Sequence, residues 1–154
     1  MSVGRLAVTR DFVGTLAIAE QLFYDTERWP SWVDGLARVT RRDGDWPAAG
    51  TQLEWESHPG GRGRVIERVV AFEPGVGQAI EVADARMRAT QTVGFEVLEG
   101  GVSVRLGLDY RLVDAGLLGR VTDALFIRRA LGDSMRRTLE RFGRELAADR
   151  ELLR

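Results

Sequence analysis

Two long alternating stretches joined by Glu99-Gly100-Gly101 constrain this chain more than any other feature. From Met87 to Leu98, and again from Val102 to Val113, apolar residues recur at every second position. That is the period of a strand with one face covered and the other wet. Met87, Ala89, Gln91, Val93, Phe95 and Val97 share one face, and Val102, Val104, Leu106, Leu108, Tyr110 and Leu112 share the partner's. Arg88, Thr90, Thr92, Glu96, Arg105, Asp109 and Arg111 fall on the opposite side. Gly-Gly suits the positive φ of a tight hairpin turn, so the two runs predict an antiparallel hairpin.

The rest of the chain organises around that hairpin. A first strand is predicted over Gly4–Val13, and Gly14 breaks it. Leu16, Ala19, Leu22 and Phe23 then recur at helical spacing, which predicts a short helix over Thr15–Tyr24. A second short helix begins near Pro30, which suits a first helical position because its missing N–H is not needed there. Trp29, Trp32, Val33 and Leu36 would form its buried face, with Gly35 as a stop. Further strands are predicted over Ala37–Arg42, Thr51–His58, Arg64–Glu73 and Gln78–Ala83, separated by Gly- and Pro-rich turns. On the Arg64–Glu73 strand both parities carry apolar residues, so its register stays open. From about Leu117 to Leu152 the period becomes helical, with Val121, Leu125, Leu131, Met135, Leu139, Phe142 and Leu146 as the apolar stripe.

Absences narrow the chemistry. The chain has no cysteine, no lysine and no asparagine, and His58 is its one histidine. Thiolate nucleophiles, Schiff-base lysines and multi-histidine metal sites are thereby excluded, and neither a metal nor a cofactor is expected. A net charge of −1 argues against a nucleic-acid partner. No apolar run approaches the roughly 18–20 residues of a membrane span. Met1 to Phe12 lacks the apolar core of a signal peptide, so the cytoplasm is the expected location. With no linker or repeat in view, residues 1–154 are expected to form one domain, monomeric or homodimeric.

Specific segments add a resemblance. Asp25-Thr26-Glu27-Arg28-Trp29-Pro30-Ser31-Trp32 looks like the junction after the first helix in bacterial members of the START-like (SRPBCC) superfamily, which also includes the birch-pollen-allergen-like proteins. Phe72-Glu73-Pro74-Gly75 resembles a strand-ending turn of the polyketide cyclase/dehydrase-like branch, and Gly116–Val121 resembles the start of its closing helix. Val13-Gly14-Thr15 departs from the small-residue-then-proline start common among those relatives. The resemblance implies an α+β helix-grip fold: a curved seven-stranded antiparallel sheet wrapped on a long C-terminal helix, with two short helices after the first strand. It also implies a cavity between sheet and helix, and leaves the reaction open, since such folds host carriers, receptors and enzymes.

The expected cavity residues are Trp55, Gln91, Phe95, Leu108, Tyr110, Leu131, Met135 and Phe142. Gln91 and Tyr110 interrupt apolar faces, so they either orient a ligand oxygen or bond within the protein. Arg128 falls on the helix stripe and would meet a ligand carboxylate or enolate, unless Ile127 faces inward instead. His58 lies at a turn and reads as solvated. The strand carboxylates Glu54, Glu56, Glu67 and Glu81 carry no assignment without a register. The apolar excess in Leu117–Leu131 fits a cavity lid, a dimer contact or a membrane-touching face. The expected function is binding or carriage of a hydrophobic small molecule such as a lipid, isoprenoid or polyketide-like compound. The alternatives are a polyketide cyclase/dehydrase-like enzyme and a protein-interaction module.

Overall fold

The alternation becomes a seven-stranded antiparallel sheet in the computed structural model, which describes residues 3–113 and 121–153. The strands are β1 (Val3–Val13), β2 (Leu36–Asp43), β3 (Gln52–Ser57), β4 (Arg64–Glu73), β5 (Gly77–Ala83), β6 (Met87–Leu98) and β7 (Gly101–Leu112). Their order across the sheet is β1-β7-β6-β5-β4-β3-β2, so β1 and β2 form the two edges. Helices α1 (Leu16–Tyr24) and α2 (Trp29–Trp32) lie between β1 and β2, joined by one 3-10 turn at Thr26–Arg28. The long α3 (Val121–Leu152) follows β7 and packs along β1, α1 and α2. This is the helix-grip architecture that the family resemblance implies.

Local chemistry explains the turns at which the chain changes direction. Gly14 adopts a φ of +140°, a region open to glycine, where β1 gives way to α1. The Thr15 hydroxyl then accepts the Ile18 N–H at 3.3 Å and caps α1. Asp25 repeats the device for the next turn by accepting the Glu27 N–H at 3.2 Å. Pro30 sits in the first turn of α2. These elements bury Ala19, Leu22, Phe23, Trp29 and Trp32 against the sheet.

Register shifts in the β2–β3 pairing and between Val69 and Ala71 of β4 bend the sheet around the helix. The register of β4, open in the sequence, is now fixed. Val65, Glu67 and Val69 face inward while Arg64, Ile66 and Arg68 face out. Past the shift, Phe72 rather than Ala71 turns toward the core. On β6 the cover ends at Phe95, and Val97 is exposed.

Helix α3 behaves differently along its length. Leu139, Phe142 and Leu146 are fully buried, and Gly143 lets the Phe12 ring seat against the helix backbone. A Cβ at Gly143 would lie 2.8 Å from that ring. Nearer the start, Leu131 and Met135 are half-buried and Leu125 and Phe126 are exposed, so the expected stripe does not extend to Leu125. Residues 117–120 of the expected lid, and most of the Gly116–Val121 motif, lie outside the described residues.

Side chains from the α1–β2 region hold α3 in place. Arg28 bonds Glu145 at 2.5 Å and Asp149 at 2.7 Å. Asp34 accepts from Ser134 Oγ at 2.7 Å and from Arg137 and Arg141 at 3.0–3.1 Å.

Candidate functional site

The interior of the grip divides into a filled half and an open half. Aromatic rings fill the first. Phe142 lies 5.0 Å from Trp32, 5.4 Å from Phe12 and 6.0 Å from Phe23, and Phe23 meets Phe95 at 5.7 Å. These edge-to-face contacts leave no room for a guest. The second half holds a cavity of about 120 Å³. Its sheet wall is Trp55, Ile80, Met87, Leu106 and Leu108; Leu131, Met135 and Thr138 of α3 close it from above. Trp29, Trp32, Val33 and Leu36 form one end.

A buried carboxyl breaks this apolar lining. Glu67 is 5% exposed and borders the cavity from β4. Trp55 Nε1–H donates to its Oε2 at 3.0 Å. Burial pushes the Glu67 carboxyl up to about 7, against the opposing pull of the Trp55 hydrogen bond and the Arg62 charge. The guanidinium of Arg62 lies 5.4 Å above the Trp55 ring and borders the same cavity. Arg62 Nε donates to Asp84 Oδ2 at 2.7 Å, while its Nη2 is buried without a hydrogen-bond partner among the described residues. Asp84 is itself fixed, since its other oxygen accepts the Arg86 and Met87 N–H groups at 2.8 and 2.9 Å. The start of β6 therefore sets the orientation of Arg62.

Asp34, Ser134 and Thr138 make a second polar border. The Asp34 N–H donates to Thr138 Oγ1 at 3.0 Å. Burial alone favours a neutral Asp34, but hydrogen bonds from Arg137 and Ser134, with the Arg141 charge, outweigh it and hold the carboxyl below its usual range. This group is internally satisfied and reads as a clasp between α3 and the segment before β2. The Trp32 indole N–H, in the apolar end wall, has no partner among the described residues.

Of the residues expected at a cavity, Trp55, Gln91, Leu108, Leu131 and Met135 border this one. Four others do not. Phe95 and Phe142 belong to the aromatic packing that fills the other half. Tyr110 turns to the β1 edge, where its ring covers Gly4, its cross-strand partner. Any Cβ at Gly4 would fall 2.3 Å from the Tyr110 ring, so the glycine makes that placement possible. Arg128 is exposed beside a shallow outer groove with Leu125, Gly132 and Arg136, and Ile127 packs inward instead. The helical phase at this point turns Arg128 outward. His58 is exposed at its turn.

The sequence left Glu67 unassigned among four strand carboxylates, and gave no sign of Arg62, Asp84 or Asp34. Glu67 sits between Val65 and Val69 on an alternating run, a signal cancelled by Ile66, Val70 and Phe72 on the other parity. Asp34 bonds residues about a hundred positions away, for which no local pattern exists. Among the described residues no cluster of His, Asp and Glu has the geometry to hold a metal ion. None of the described helices is long and apolar enough to cross a membrane.

Comparison with known proteins follows the same outline. The family model described as polyketide cyclase/dehydrase and lipid transport matches residues 4–147. A search of curated proteins by sequence gave no match. Among solved structures, the aromatase/cyclase Zhui from Streptomyces sp. R1128 superposes with a TM-score of 0.77 at 11% identity, over 94% of each chain. The di-domain aromatase/cyclase StfQ of the steffimycin biosynthetic pathway gives 0.76 at 18% identity, over 97% of this chain and 52% of its own. The chain thus spans about half the length of that di-domain protein. A START superfamily protein from Mycobacterium smegmatis gives 0.75 at 11% identity, over 94% of this chain and 97% of its own. At these identities the likeness is one of fold.

Proposed function

We propose that this chain, which belongs to the polyketide cyclase/dehydrase and lipid transport family, binds a small hydrophobic molecule in the cavity between its sheet and α3. The observation that carries the reading is an apolar cavity of about 120 Å³ bordered by a buried carboxyl that uses one oxygen internally and keeps the other free. A preformed apolar space with a few fixed polar groups is the usual form of a ligand site. The volume limits what fits as the cavity stands. An apolar cavity of about 150 Å³ takes benzene, so the guest here is one ring or a short branched chain. A larger ligand would seat one ring-sized portion inside. Trp55, Gln91, Leu108, Leu131 and Met135 are the contacts we assign to it.

The test is native mass spectrometry of the protein purified from its own host, followed by solvent extraction of what is released. A defined co-purifying hydrophobic molecule supports the reading. An empty protein that gains no thermal stability from a panel of one-ring and short-chain ligands overturns it.

One observation favours an enzymatic reading in addition. A carboxyl raised to about 7 exchanges protons readily at neutral pH, as a general acid or base must. Glu67 would then act on a ligand held against Trp55, in the manner of a cyclase/dehydrase.

A further inference from the structure

The two edges of the sheet are built differently. β2 is guarded: register shifts interrupt its pairing with β3 at two places, and it carries Arg38, Arg41 and Arg42. Bulges and charges of this kind keep an edge from recruiting another strand. β1 has neither through its middle. It pairs with β7 in one unbroken register from Val3 to Val13 and has no strand on its other side. Leu6-Ala7-Val8 carries no charge and no proline. In an antiparallel pair every second residue turns its N–H and C=O away from the partner strand. Among the described residues, no backbone hydrogen bond reaches β1 from that free side.

A groove runs along this free edge. Leu6, Ala7 and Val8 line it together. Successive strand residues point to opposite faces, so three in a row share one groove only at the strand's edge. The far wall is α3, from Leu125 to Arg136, and Leu125 is 62% exposed there. Gly132 has no side chain to fill the groove, and the Arg136 guanidinium folds back across it to bond Asp133 at 2.5 Å. Asp133 is thereby taken. Arg128 and Arg129 on the same wall are exposed, with neither a hydrogen bond nor an ion pair among the described residues. Arg105 of β7 is likewise unpaired and shares a second hollow with Arg128 and Ala7. The chain as a whole carries −1, so this free positive charge is a local concentration.

An open backbone ladder on one wall and unpaired guanidinium groups on the other select the occupant. A lipid headgroup neutralises arginine but cannot supply alternating donors and acceptors to a strand edge. A second copy of this chain supplies a strand, but an isologous contact brings the same arginines together from both sides. An extended acidic segment supplies both strand and charge. We propose that the groove between β1 and α3 is a docking site for an extended acidic peptide segment of another protein, which adds as a strand to the Leu6–Val8 edge and places its carboxylates on Arg128 and Arg129. An apolar residue of the segment covers Leu125. Docking here is independent of what the cavity holds.

The probe is a displayed library of random linear peptides of about eight residues, enough for one strand, panned against the full chain. Selected peptides are expected to be rich in Asp and Glu and poor in proline. A selected peptide is expected to slow hydrogen exchange at the outward-facing amides of β1 around Ala7 at least about tenfold, which a merely electrostatic contact would not do. Arg128→Glu with Arg129→Glu is expected to weaken that peptide at least about tenfold at an unchanged thermal midpoint, since both side chains are exposed. Arg128→Gln with Arg129→Gln, which only removes charge, is expected to give a smaller loss in the same direction. A library that yields no binder, or binders without acidic enrichment, overturns the assignment. So does a selected peptide that leaves the β1 amides unprotected or that binds the arginine variants undiminished. Two rival occupants are read in parallel. If sedimentation shows the chain dimerising, and the β1 amides gain protection with its concentration, the edge belongs to a second copy. If the chain binds vesicles of phosphatidylserine and phosphatidylcholine through Arg128 and Arg129 and selects no peptide, those arginines serve a lipid surface. Either result overturns acidic-peptide docking.

Discussion

Trp55 of β3 donates its indole N–H to the Glu67 carboxyl of β4 at 3.0 Å, joining an aromatic wall to a buried acid that borders the cavity. The two residues sit on the same inward face of adjacent strands, where Leu53 pairs with Glu67 and Trp55 with Val65. A diagonal pair of this kind brings a long side chain within reach of its neighbour. The consequence is a carboxyl fixed in orientation in a place where burial disfavours its charge.

That placement makes stability depend on pH in a definite sense. Burial raises the folded Glu67 carboxyl from 4.5 to about 7. Between those values the folded chain keeps a proton that the unfolded chain releases. Stability contributed by this group is therefore full below about pH 4.5 and lost as pH rises through 7, by about 3 kcal/mol in all. Glu67→Gln removes the dependence. Urea unfolding at pH 5 and pH 8 should show the variant gaining on the parent by up to about 3 kcal/mol between the two. An equal pH dependence in both proteins would mean that Glu67 ionises normally. Asp34 acts in the opposite sense, since its carboxyl is held below its usual range and its contribution is lost only as pH falls below that range.

Asp34 also carries a mechanical prediction. Its carboxyl receives hydrogen bonds from Ser134, Arg137 and Arg141, all on α3. Asp34→Ala leaves these donors without their shared acceptor at the edge of the cavity. We expect a loss of about 2 kcal/mol, because several bonds to a charged, mostly buried group are removed together. Hydrogen exchange should quicken in the middle of α3 while the β6–β7 hairpin stays protected. Uniform quickening would instead indicate global destabilisation without a local clasp.

How much was legible in the sequence follows from where the signals reside. The β6–β7 hairpin, the Pro30 turn and the order of strands and helices are written in local periodicity and turn chemistry, the wrap of sheet around helix is what the family resemblance implies, and all are found in the structure. The site was only partly legible. Phe95, Tyr110 and Phe142 have the right parity or helical phase, yet parity gives the face and not the neighbour. Tyr110 covers Gly4 across the strand pair, and the two phenylalanines meet other rings from β1, α1 and α2. Glu67 was hidden because β4 is apolar on both parities, and a register shift near Val69 lets both Val69 and Phe72 reach the core. Arg62 and Asp84 meet only through tertiary structure, at 2.7 Å.

The Tyr110–Gly4 contact yields a separate test of why Tyr110 is absent from the cavity. A Cβ at Gly4 would fall 2.3 Å from the ring and force it to move. Gly4→Ala should cost about 1–3 kcal/mol, as overpacking does. In the Tyr110→Ala background Gly4→Ala should cost little, because the clash has gone. Additive costs in that double-mutant cycle would show that the two residues do not oppose each other.

Filling the cavity tests its location most directly. Met135 borders it from α3 and is only half-buried, so its side chain has space on the cavity side. Met135→Trp adds volume that a space of about 120 Å³ can take up with little strain. Toluene binding should then weaken at least about tenfold, while the unfolding free energy shifts by no more than about 1–3 kcal/mol. Phe142→Trp is the control, because Phe142 is fully buried among Trp32, Phe12 and Phe23 with no free space beside it. That substitution should destabilise the chain by overpacking and leave toluene affinity in the folded fraction unchanged. The opposite pattern, with toluene binding lost in the Phe142 variant and kept in the Met135 variant, would put the guest in the aromatic half of the grip.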